Sequence, residues 1–154
     1  MAEKKTIEEQ INNVLGGDSL KIALNFIDFL CVNKLPIDYD GKGDGCAVGG
    51  TVGNSIGYMI VNGAEKSPGP WTIWLNSCDF NETSMTTDEL KQAAWIHASN
   101  CGKCNKNWEK CGGGARVIFG REFERLCHSP LMFTNPDAKT LEYVKKLILM
   151  LKQK

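Results

Sequence analysis

The 154 residues carry 18 basic and 18 acidic side chains, so no net field recruits nucleic acid or an anionic membrane. A hydrophobic share of 42% and a charged share of 23% are ordinary for a globular chain, and this length buries roughly two-thirds of the unfolded surface. The opening Met1-Ala2-Glu3-Lys4-Lys5 has no apolar stretch behind it, and no run approaches the ~18 apolar residues that cross a bilayer. A cytoplasmic protein without a membrane partner is expected.

Thr6-Ile7-Glu8-Glu9 forms a capping box, and Ile7, Ile11, Val14 and Leu15 lay an apolar stripe that Gly16-Gly17 ends. Asp18 is the expected cap of a second helix through Val32. Leu20, Ala23, Leu24, Ile27, Leu30 and Cys31 share its inner face, thickened by Ile22, Phe26 and Phe29. Seven glycines between Gly41 and Gly57 then break every helical run. Two strands are expected, over 56–61 and 71–75, joined as a hairpin across Asn62-Gly63 and Ser67-Pro68-Gly69-Pro70.

A third helix is expected over 87–98, with Thr86 and Glu89 as its capping box. Beyond a cysteine-rich loop, 115–119 reads as a strand, 121–127 as one or two helical turns and 131–133 as a strand. Asn135-Pro136 supplies an N-cap and first-turn proline for a terminal helix burying Leu141, Val144, Leu147, Ile148 and Leu151. The pattern predicts an α+β fold: helices packed on a small, mostly antiparallel sheet, with a Cys-rich zinc-type loop in the C-terminal third. One domain over 1–154 is expected, its N-terminal helices and hairpin over about 1–81 and its cysteine cluster and terminal helix over about 82–154.

Most of the chemistry legible in the sequence lies in Cys101, Cys104, Cys111 and Cys127, spaced C-x2-C-x6-C-x15-C. Thiolates are soft ligands, four of them fill the tetrahedral shell of zinc, and a two-residue gap lets one turn aim two sulfurs at one ion. His97 or His128 is the substitute ligand for a Cys3His set. A closed shell leaves no position for activated water, so the expected zinc is structural. An iron–sulfur cluster needs other spacings. A thiol-dependent redox protein or enzyme using Cys101 and Cys104 is the alternative, although no βαβ unit precedes the pair. A nucleic-acid-associated zinc module is the third reading, resting on Lys103, Lys106, Lys110, Arg116, Arg121 and Arg125 and diluted by Glu109, Glu122 and Glu124.

Other motifs fall short. The acidic glycine loop over 38–45 lacks the ligands of a calcium-binding EF-hand, and no phosphate-binding glycine motif occurs. Two histidines and no G-x-S-x-G elbow leave no catalytic residue to assign. Cys31 reads as core, while Cys46 and Cys78 are too scattered for a second metal site. Trp71 and Trp74 fall on opposite faces of one strand, so one enters the core and the other faces solvent, a small ligand or a protein partner. The expected function is that of a small binding protein stabilised by zinc.

Overall fold

The computed structural model describes residues 6–39, 45–50, 54–61, 71–80, 82–84, 86–100 and 114–152, with backbone alone at 99, 100, 127 and 128. Their order is α1 (Ile7–Val14), α2 (Gly17–Val32), β1 (Ile37–Asp38), β2 (Gly45–Val48), β3 (Gly57–Val61) and β4 (Trp71–Leu75). There follow α3 (Asp88–Ile96), β5 (Ala98–Asn100), β6 (Gly114–Ile118), β7 (Arg121–Thr134) and α4 (Ala138–Lys152). All strand pairings are antiparallel, in the order β1-β2-β3-β4-β7-β5, with β6 also on β7. The fold is α+β.

The sheet is built on cross-strand rows. Cys46, Met59, Ile73 and Phe133 face one another in register across four strands, and all are fully buried. Val48, Gly57, Leu75 and Leu131 form the next row. A Cβ on Gly57 would run into the carbonyl oxygen of Trp74, so close strand approach requires glycine there. Helices cover this face as one layer, α1 against α2, α2 against α4 and α4 against α3. Phe26 of α2 reaches Trp71 at a ring separation of 6.3 Å. Polar contacts pin the layer: Gln10 Nε2 donates to the Val61 carbonyl at 3.1 Å, and Lys152 Nζ to that of Asn33 at 2.7 Å. Tyr143 donates to Glu89 at 3.1 Å. Because β4 pairs with β7 and α4 packs on α2, the segments before and after residue 81 share one sheet and one core.

Several local expectations hold. Thr6 and Glu9 form the reciprocal capping box, and α4 buries Leu141, Val144, Leu147, Ile148 and Leu151. The strands over 56–61 and 71–75 pair as expected. Others need correcting. α2 begins at Gly17 with Gly16 as N-cap, and Asp18 is a first-turn acid rather than the cap. Its buried stripe is Ala23, Phe26, Ile27 and Leu30; Cys31, about 100° further round the helix, is exposed rather than core. Thr87, not Thr86, caps α3, while Thr86 closes a turn with Thr83. The cap of α4 is Asp137, whose Oδ1 accepts from Thr140 N at 2.7 Å. Asn135 is instead a left-handed turn residue, φ 44°, donating to the Trp71 carbonyl.

The largest correction concerns 121–127, which is strand and not helix. Phe119 (φ 46°) and Gly120 (φ 80°) make a two-residue turn with both φ positive, the geometry that matches strand twist. Ile118 then pairs with Arg121 and Arg116 with Phe123. Pairing along β6 satisfies the backbone of this stretch, overriding the helical spacing of Phe119, Phe123 and Leu126.

Candidate functional site

Residues 101–113, with Cys101, Cys104 and Cys111, lie outside the described residues, and so do Lys103, Lys106 and Lys110. Their two anchors are described. Asn100 at the end of β5 pairs with Leu126, and Gly114 at the start of β6 pairs with the same Leu126. The two anchors therefore flank Leu126 from opposite sides, about two strand spacings or ~10 Å apart. Cys127 is the next residue of β7, with only its backbone described, as for His128. Register irregularities accompany both anchors, between Ala98 and Asn100 and between Gly114 and Arg116. Irregularities of this kind bend the strand and increase its local twist. Among the described residues, no group of three or more His, Cys, Asp or Glu side chains is placed to hold a metal ion.

His97 is the C-cap of α3, and its ring lies tilted against Phe133 at 4.7 Å. Its carbonyl accepts from Met132 N at 3.0 Å, locking the helix end to β7. Burial lowers its pKa, against the opposing pull of a backbone hydrogen bond at Met132 and the charge of Asp137. The half-buried residue thus ties the end of α3 to the sheet.

The remaining thiols differ sharply. Cys46 lies in the central row of the sheet, and burial, reinforced by Asp38 and Glu8, pushes its pKa up to about 12. Cys78 is buried beside β6, its Sγ 3.9 Å from the Val117 carbonyl oxygen. Burial raises its pKa, while the Arg116 guanidinium hydrogen-bonded to it pulls the other way. Arg116 was missed as a thiol partner because 38 positions separate the two in sequence; nothing local signals the contact. An open cleft of about 650 Å³ adjoins Cys78, roofed by Phe80 stacked on Phe119 at 5.1 Å. Arg121 sits over Trp95 at 5.6 Å and over Phe123 at 5.5 Å. Two of the arginines expected to face nucleic acid are thus engaged with the protein itself.

Trp71 and Trp74 do fall on opposite faces. Trp71 is fully buried against α2, and its indole N–H has no partner among the described residues, an omission that typically costs about 1–3 kcal/mol. Trp74 is half-buried on the other face. There it stands between Tyr58 and Met132 in direct register, with Ala47 beyond Tyr58. Gly45, Ile60, Thr72 and Thr134 make the adjacent row, and none of the eight residues is charged. Tyr58 and Met132 were not singled out from the sequence, although the two-residue alternation of Tyr58 and Ile60 marks one face of β3.

No helix among the described residues is long and apolar enough to cross a membrane. Comparison with protein-family models, with curated proteins and with solved structures finds no match to this chain.

Proposed function

We propose that this chain is a small cytoplasmic binding protein whose C-terminal third is stapled by a structural zinc ion on Cys101, Cys104, Cys111 and Cys127. The single observation that supports it is the pairing of Asn100 and Gly114 with one residue, Leu126, immediately before Cys127. That register returns both ends of the three-cysteine segment to the neighbourhood of the fourth cysteine. Gly114, three positions after Cys111, thus pairs with the residue before Cys127 despite the fifteen residues between the two cysteines in sequence. A reducing compartment keeps the thiols available as ligands. His97, already tied to β7, is the weaker candidate for a place in the shell. The binding surface in this reading is the uncharged row of Tyr58, Trp74 and Met132, suited to a small ligand or a protein partner with an apolar face.

Metal analysis of freshly isolated protein tests the staple. About one zinc per chain is expected, lost in Cys104→Ser together with a fall in melting temperature. Metal-free protein whose melting is indifferent to chelator rules the staple out, and visible absorbance turns the assignment to iron–sulfur. The surface is tested separately. Trp74→Ala should abolish the fluorescence response to a bound candidate while costing less stability than Ile73→Ala, because Ile73 is fully buried. An unchanged response in Trp74→Ala places the ligand elsewhere.

A further inference from the structure

We draw no further inference here: the strongest candidate, the sheet face on which Tyr58, Trp74 and Met132 stand in register, belongs to the surface already proposed, and nothing among the described residues shows what covers it.

Discussion

A thiol's chemistry is decided by its surroundings, and three cysteines of this chain show three outcomes. Cys31 faces solvent from α2. Cys46 is wholly enclosed, with the thiolate form disfavoured up to about pH 12, and Cys78 is buried with its pKa also raised. Since the thiolate is the nucleophile, exposure and pKa act together. Of these three, native protein treated with a thiol reagent at pH 8 should therefore label Cys31 first, leaving Cys46 unmodified until the chain is unfolded. Peptide mass mapping of the labelled protein checks this. Rapid native labelling of Cys46 would contradict its place in the sheet. From the sequence, Cys31 looked buried because it lies one step from Leu30 on a strongly apolar helix. A single position, 100° of rotation, separates core from surface there.

At the scale of elements, capping chemistry was legible wherever a side chain serves a backbone a few residues away. Thr6 with Glu9 is such a case. Ambiguity arose where several capping residues follow one another, as in Thr86-Thr87 and Asn135-Pro136-Asp137. The choice among them then depends on how the preceding chain arrives. Asn135 is drawn into a left-handed turn by its bond to the Trp71 carbonyl, which leaves Asp137 to receive Thr140 N. That hydrogen bond also holds the Asp137 carboxyl below its ordinary pKa. Asp137→Ala should destabilise the protein by about 1 kcal/mol, as N-cap removals typically do, and Asn135→Ala should leave the α4 N-terminus capped. Urea unfolding of both variants separates the roles; an unaffected Asp137→Ala would return the cap to Asn135.

Over the whole molecule, β7 is the element on which the architecture turns. It pairs with β4 near its end, with β5 through the middle and with β6 at its start. Leu126, where β5 and β6 flank it, is fully buried. Leu126→Ala should cost about 2–5 kcal/mol, the range for buried leucines. It should also speed amide exchange at Asn100 and Gly114 more than at Met59, in the central row. A loss under about 1 kcal/mol would mean that this junction is not a packed part of the core.

The sequence by itself determined the α+β class, both N-terminal helices, the β3–β4 pairing and the inner stripe of α4. Those features rest on periodicity and on interactions within a few residues, which any local stretch carries in its own side chains. Tertiary structure alone decided that 121–134 is one continuous strand, that Arg116 meets Cys78, and that Trp74 lines up with Tyr58 and Met132. Each of these depends on register between segments distant along the chain. Register is set by the closing turn and by which face finds a hydrophobic layer, neither of which is written at the positions concerned.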